Sequence, residues 1–267
     1  MIPKIIHYCW FGGNPLPESA KKCIASWRKY LPDYEIWQWS EESLHDNVND
    51  NENVLIDKIL SFDVNSIPYT QQAYEAKKYA FVSDYARFWV LYHYGGLYFD
   101  TDVEVIANMD EIVARGPFMG IEKGASLDGK PMVNPGLGLG AEDGHPFYEK
   151  MLQVYGQLEY VKADGSLDDA TIVTYTTREL YAQGMKPSEE MQEIERIWIY
   201  PADYFCPMDS TTGITTLTAR SVSIHHYDCS WMDHQSFSFR IHQIKNFLFR
   251  LIGQRNAQRI NRLLHKK

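Results

Sequence analysis

Apolar residues recur along this chain with two periods, one near two and one between three and four, and the switches between them divide its first half into strands and helices. Lys4-Ile5-Ile6-His7-Tyr8-Cys9-Trp10-Phe11 is a short β-prone run closed by Gly12-Gly13, which reads as a buried strand feeding a loop. A helix follows from about Pro17 to Tyr30. Pro32-Asp33 turns the chain, and Tyr34-Glu35-Ile36-Trp37-Gln38-Trp39 alternates as a second strand. Ser40 with Glu41 and Glu42 behind it reads as a helix start, because a short hydroxyl can cap and acids favour the positive end of the helix dipole. Asn47 to Asn53 is polar and reads as loop. Gln71 to Tyr94 is the longest helical pattern, predicted as one helix that Gly95-Gly96 ends, since glycine takes the left-handed C-cap conformation without a Cβ clash. Leu97 to Ile106 then reads as one strand, with Leu97, Phe99, Thr101, Val103 and Val105 on one face and Tyr98, Asp100, Asp102 and Glu104 on the other.

The second half is less regular. Phe118-Met119-Gly120-Ile121, Leu137-Gly138-Leu139-Gly140, Ile197 to Tyr200 and Val222 to His226 are predicted strands, and His145 to Gln157 a helix. Alternating strands and helices imply an α/β fold, a sheet with helices packed on it. With no repeat and no low-complexity linker to divide them, the 267 residues suit one large domain.

Composition narrows the function classes. Apolar residues make up 45% and charged residues 23%, which excludes a chain that is mainly disordered, and 14% aromatic residues is high. No run of 18 apolar residues and no leader pattern at Met1-Ile2-Pro3-Lys4 points to membrane spanning or secretion. Four cysteines without a CxxC pair are expected to be reduced thiols in a cytoplasm. The formal charge of −9 is unevenly spread: residues 234–267 hold eight Lys or Arg and no acid, leaving 18 basic against 35 acidic residues elsewhere. An acidic body argues against nucleic-acid binding. The tail carries Phe237, Ile241, Ile244, Leu248 and Leu251 at helical spacing among Arg240, Lys245 and Arg250. It is expected to form a basic amphipathic helical segment that either packs on the acidic body or meets an anionic membrane at the cytoplasmic face.

Candidate chemistry concentrates in Gly95-Gly96-Leu97-Tyr98-Phe99-Asp100-Thr101-Asp102. Carboxylates at i and i+2 of a strand project from one face, and at a strand end they can hold a hard divalent cation whose open positions suit the oxygens of a diphosphate. The bare pair fits a solvated edge-strand face as well. Upstream, Ser83-Asp84-Tyr85-Ala86-Arg87 places Asp84 and Arg87 at i and i+3 on one face of a very apolar helix, where burial demands partners. Either the two pair with each other, or Arg87 meets a phosphate or sugar oxygen while Asp84 accepts sugar hydroxyls.

The run Ser83 to Asp102, with its SDxxR, GG and YxDxD elements, resembles the DXD-containing sugar-binding region of family 32 glycosyltransferases, a group that includes initiating α-1,6-mannosyltransferases and capsular polysaccharide enzymes and is related to the clostridial glucosylating toxins. Ile6 to Gly13 is similar to that group's first strand, and His225-His226-Tyr227-Asp228-Cys229-Ser230-Trp231 to its C-terminal His…SW segment, so the matches run in order from about Pro3 to Trp231. The resemblance implies a single GT-A-like nucleotide-sugar-binding domain over 1–233, with a mixed central sheet flanked by helices and the basic segment 234–267 behind it. It implies Asp84, Arg87, Asp100 and Asp102 as the catalytic group and Mn²⁺ or Mg²⁺ held by Asp100, Asp102 and His226. His225, on the other face of the strand, is read as structural, and the two histidines could exchange roles. His7, Trp10, Tyr98, Asn134, Ser230 and Trp231 would bind the donor, with Trp10 stacking on the base and Tyr98 lining the pocket. The acceptor side is expected at Asp168-Asp169 and loops of the second half, to which the resemblance maps nothing.

The activity implied is retaining transfer of a hexose or N-acetylhexosamine from a nucleotide-diphosphate sugar, UDP favoured, to a glycan or lipid-linked glycan, in capsular polysaccharide or lipopolysaccharide synthesis. The sequence shows no obvious nucleophile beside the DXD, so the expected route is same-face attack, the acceptor hydroxyl passing its proton to a departing phosphate oxygen. A metal-dependent phosphoesterase or glycoside hydrolase would also use clustered carboxylates, and a non-enzymatic carbohydrate-binding protein would use the aromatic residues.

Overall fold

In the computed structural model the described residues are 1–41, 55–209 and 212–228. The expected loop at Asn47 to Asn53, the helix start behind Ser40, the donor contacts Ser230 and Trp231 and the segment 234–267 lie outside them. Ser40 itself ends a strand.

The sheet is built from β1 (Ile5–Cys9), β2 (Glu35–Ser40), β3 (Lys58–Ser61), β4 (Gly96–Tyr98), β6 (Phe118–Leu127), β8 (Leu139–Ala141), β9 (Gln192–Ile194) and β10 (Ile197–Tyr200) in the spatial order 3-2-1-4-8-6-10-9, with β7 (Lys130–Asn134) paired to β6. The strands β1 to β4 run parallel to one another, while β8 pairs antiparallel with both β4 and β6. A separate antiparallel pair is formed by β5 (Val103–Val105) and β11 (Ser223–His225). Helices cover both faces. Trp27 and Ile24 of α1 (Glu18–Tyr30) bury against Ile6, Ile36 and Phe99. On the opposite face α3 (Tyr79–Tyr94) packs Val82, Ala86, Val90 and Leu91 beside Leu139 and Met151, the latter from α5 (Pro146–Tyr155). The expected fold class, a mixed central sheet flanked by helices, is what the chain adopts.

Two predicted elements are divided. The helix expected over Gln71 to Tyr94 is α2 (Pro68–Glu75) followed by α3. Lys77 takes φ 57° between them, its N–H reaching the Tyr74 carbonyl and the Lys78 N–H reaching the Ala73 carbonyl. That is a Schellman termination with lysine where glycine is usual, which is why the helical period runs through it unmarked. Gly95, at φ 61°, ends α3 as expected.

The strand expected over Leu97 to Ile106 is β4 and then β5, in different sheets. Between them Phe99 N–H binds the His7 carbonyl, Asp100 N–H meets the Gly136 carbonyl at 3.4 Å, and Val103 N–H turns back to Asp100. Asp100 and Asp102 therefore lie on a turn at the end of β4 and not on one face of a continuous strand. This corner, where β4 meets an antiparallel neighbour, is the kind of strand-end crevice in which α/β sheets bind ligands.

Candidate functional site

A cavity of about 640 Å³ opens at the ends of β1 and β4. Its walls include Trp10, Asp84, Arg87, Asp100, Asp102, Asn134 and His225.

Arg87 organises the floor. Its side chain is 4% exposed, with Nη2 donating to Asp84 Oδ1 at 3.1 Å, Nη1 to Asp100 at 3.1 Å and Nε to the Ser83 carbonyl at 3.2 Å. Each guanidinium nitrogen thus has a protein partner, and Arg87 and Asp84 both remain on the cavity wall. Burial alone would lower the Arg87 pKa, and the charges of Asp100 and Asp84 more than reverse that. Asp84 uses its second oxygen to accept the N–H of Ile172, at the start of α6 (Ile172–Ala182). Burial pushes its carboxyl up to about 7, against the pull of Arg87.

Tyr98 is 1% exposed beneath this floor. Its hydroxyl donates to Asp100 Oδ1 at 3.3 Å, and the Arg87 guanidinium lies 4.8 Å over its ring. The expectation that Tyr98 lines the pocket is corrected: it props Asp100 from below because all of β4 faces the core. Gly136 packs so tightly on Asp100 that a Cβ there would overlap Oδ2.

Asp100, Asp102 and His225 each offer a ligand atom, all within 4.8 Å of one another. His225 Nε2 stands 3.3 Å from Asp102 Oδ1, while its Nδ1 is buried without a partner. Two carboxylates and an imidazole form a donor set suited to a divalent cation such as Mn²⁺ or Mg²⁺. Burial raises the Asp102 carboxyl above the ordinary range, with the His225 imidazole pulling the other way.

His226, expected as the third ligand, instead places Nε2 2.9 Å from Glu104 Oε2. The register of β11 on β5, with His225 opposite Val103, turns His225 to the aspartates. Calorimetric titration with Mn²⁺ is expected to lose its binding isotherm in His225→Ala and keep it in His226→Ala. The reverse pattern would restore His226.

His7 is also corrected. It is fully buried outside the cavity, between the Gly95 carbonyl, 2.9 Å from Nε2, and Trp39 Nε1, which donates to Nδ1 at 3.1 Å. Burial drives its pKa down to about 3, so it is a neutral packing residue. Trp10 does line the cavity, its Nε1 donating to the Asn14 carbonyl at 2.6 Å. Asn134 lines it too, accepting from Gly136 N–H and donating to Glu122 Oε2 at 3.1 Å.

The acceptor expectation at Asp168-Asp169 does not reach the cavity walls. Asp168 turns inward to the Tyr175 hydroxyl and to Lys162, and Asp169 faces solvent. What the sequence reading missed is Glu122, Tyr227 and the Thr171–Val173 start of α6, all on the wall. The signal for Glu122 was an acid closing the buried run Phe118 to Ile121. Among the described residues no helix is long and apolar enough to cross a membrane.

Comparisons with known proteins find similarity over parts of the chain. Residues 17–119 match the family described as glycosyltransferase sugar-binding region containing DXD motif. The chain is 31% identical over 121 residues to inositol phosphoceramide mannosyltransferase 1 of Schizosaccharomyces pombe, covering 44% of this chain and 33% of that protein. It is 28% identical over 162 residues to inositol phosphoceramide mannosyltransferase 3 of the same yeast, covering 59% and 37%. The chain thus spans about a third of the length of the curated relatives it matches. A solved structure titled PaToxG glycosyltransferase is similar at 20% identity and a TM-score of 0.49, over 68% of this chain and 70% of that one. The matched stretch, residues 17–119, includes Asp84, Arg87, Asp100 and Asp102 of the cavity wall.

Proposed function

We propose that the chain is a metal-dependent, retaining glycosyltransferase of the family 32 type, moving a hexose or N-acetylhexosamine from a nucleotide-diphosphate sugar to a glycan or lipid-linked glycan. The observation that carries this reading is the convergence of Asp100, Asp102 and His225 on one cavity wall that also holds Trp10. A divalent cation bound there would neutralise charge developing on the diphosphate leaving group.

The chain's own residues do the rest. Arg87 is a positioning residue: through its bonds to Asp84 and Asp100 it fixes the carboxylate that faces the cavity. Tyr98 and Gly136 hold the same carboxylate from below and beside. Trp10 offers an aromatic surface for a base, UDP favoured. In the proposed reaction the acceptor hydroxyl attacks the anomeric carbon from the leaving-group face, the bond to the diphosphate oxygen breaks, and the hydroxyl proton passes to that departing oxygen. The matched yeast relatives, named as mannosyltransferases of inositol phosphoceramide, support a hexose donor and a lipid-linked acceptor. For pathway we keep capsular polysaccharide or lipopolysaccharide synthesis. Segment 234–267 would hold the enzyme at an anionic cytoplasmic leaflet by its eight basic residues.

The test is a donor screen with UDP and GDP, each with and without Mn²⁺, read by thermal shift. A nucleoside diphosphate at a hundred times its Kd should stabilise the fold by about 2.7 kcal/mol, and only with the cation. If neither nucleotide stabilises it, the reading is lost. Transfer to a glycan acceptor should then give a product of retained anomeric configuration by NMR. Release of free sugar whether or not an acceptor is present would favour the hydrolase instead, and saccharide binding indifferent to Mn²⁺ a simple lectin.

A further inference from the structure

Four acids are found on the cavity wall among the described residues, and Arg87 or His225 accounts for three of them: Asp84, Asp100 and Asp102. Glu122 is the fourth. It lies in β6, where Phe118, Met119, Gly120 and Ile121 are buried and Glu122 is the first residue to reach the cavity.

Its two oxygens are held by neutral donors, Oε2 by the Asn134 amide at 3.1 Å and Oε1 by the Tyr227 hydroxyl at 3.2 Å. Both donors are anchored to the aspartate corner. Asn134 Oδ1 accepts the N–H of Gly136, the residue that abuts Asp100, and the Tyr227 ring stands edge-on 4.3 Å from the His225 ring. Tyr227 takes φ 53°, a left-handed backbone unusual for a large residue, so this placement is over-determined by its surroundings. A carboxylate has about four acceptor positions, of which the protein fills two here. Among the described residues, one position on each oxygen remains.

The order of strands says what arrives there. Trp10 follows β1, the aspartates follow β4, and β6 lies two strands further on, beyond β8. At about 4.8 Å per strand, Glu122 stands on the order of 10 Å past the aspartates on the side away from Trp10. Base, diphosphate and hexose occur in that order along a nucleotide sugar. Asp84, which the sequence suggested as the hydroxyl acceptor, already has both oxygens occupied by Arg87 and the Ile172 N–H.

We propose that Glu122 is a specificity-determining residue for the donor sugar, its two carboxylate oxygens accepting hydrogen bonds from two hydroxyls of a neutral hexose and disfavouring an acidic one. The inference rests on the glycosyltransferase reading and adds to it the class of sugar. Repulsion of a uronate follows because its carboxylate would enter a wall already carrying an anion with only neutral partners.

The experiment is calorimetry on the full chain with Mn²⁺, comparing the wild type with Glu122→Gln and Glu122→Ala. The probes are UDP and GDP, then UDP-glucose, UDP-galactose, GDP-mannose and UDP-glucuronate. The favoured nucleoside diphosphate should bind all three proteins alike. At least one neutral sugar nucleotide should bind the wild type more tightly than its parent diphosphate and lose about 10- to 100-fold in both variants. UDP-glucuronate should bind the wild type more weakly than UDP-glucose, with the gap narrowing in Glu122→Gln. Unchanged affinity for neutral sugar nucleotides in both variants, with the diphosphate still bound, would overturn the role of Glu122 and leave the enzyme reading standing. Diphosphate affinity falling in step with that of the sugar nucleotide would make Glu122 a support of the site and also overturn it. Failure of the wild type to bind either diphosphate would remove the glycosyltransferase reading itself.

Discussion

Asp102→Asn should abolish glycosyl transfer while leaving the melting temperature unchanged or slightly raised. The side chain of Asp102 is 17% exposed, and burial disfavours its charged form. An amide of the same shape removes that desolvation cost and can still accept the Asp228 N–H that Oδ2 now receives at 3.0 Å. The His225 imidazole, 3.3 Å from Asp102 Oδ1, keeps a polar neighbour in the amide. What does not survive is the anionic oxygen beside Asp100 and His225. Losing one pre-positioned electrostatic contact to a developing charge lowers turnover by about a hundred- to a thousandfold. Transfer assayed with Mn²⁺, alongside a thermal melt of the same preparation, checks both halves. Activity within a few-fold of wild type, or a melting temperature that falls by many degrees, would mean that Asp102 serves the fold and not the chemistry.

The two halves of that expectation were unequally visible in the sequence. Asp84, Arg87, Asp100 and Asp102 could be singled out because their spacing is local, and the cavity does bring all four together. The strand β1, the helix α1 and the strand β10 were legible for the same reason, each being a periodic run bounded by turn residues. The choice between His225 and His226 was not local. It depends on how β11 registers on β5, more than a hundred residues away, and pleating alone cannot say which face meets the aspartates. The break at Lys77 was hidden because no glycine, asparagine or proline marks it. The helix α6 was hidden by Thr174, Tyr175, Thr176 and Thr177, residues that favour strands, although Thr176 and Thr177 are fully buried against the neighbouring structure. His7 matched a motif yet serves packing, since the fold closes Trp39 and the Gly95 carbonyl around it. Glu122 was passed over because a single acid behind the buried run Phe118 to Ile121 is a weak signal without a second residue beside it.

Arg87→Met is the substitution expected to damage the fold most. Methionine fills much of the same space on α3, so the loss is electrostatic: Asp84 and Asp100 would keep their places without the cation that lies between them. Removing one partner of a buried pair costs about 3–5 kcal/mol, a large share of the roughly 5–15 kcal/mol that holds a domain together. The loss should also depend on pH. With Arg87 present, burial already lifts the Asp84 carboxyl to about 7; without it the folded-state pKa rises further, while the unfolded value stays near 4. The folded variant therefore binds more protons than the unfolded chain across that window. Its stability is best preserved below about pH 4 and declines as pH rises through the folded-state pKa, so the difference from wild type should be larger at pH 8 than at pH 5. Asp84→Asn added to Arg87→Met should recover part of the stability and flatten the pH dependence, yet leave transfer impaired because Asp100 is no longer fixed. Urea unfolding of the single and double variants at the two pH values decides the matter. A loss equal at both, or a double variant no more stable than the single one, would show that Arg87 acts through its packing on Tyr98 and not through the charge it places between buried Asp84 and the half-buried Asp100.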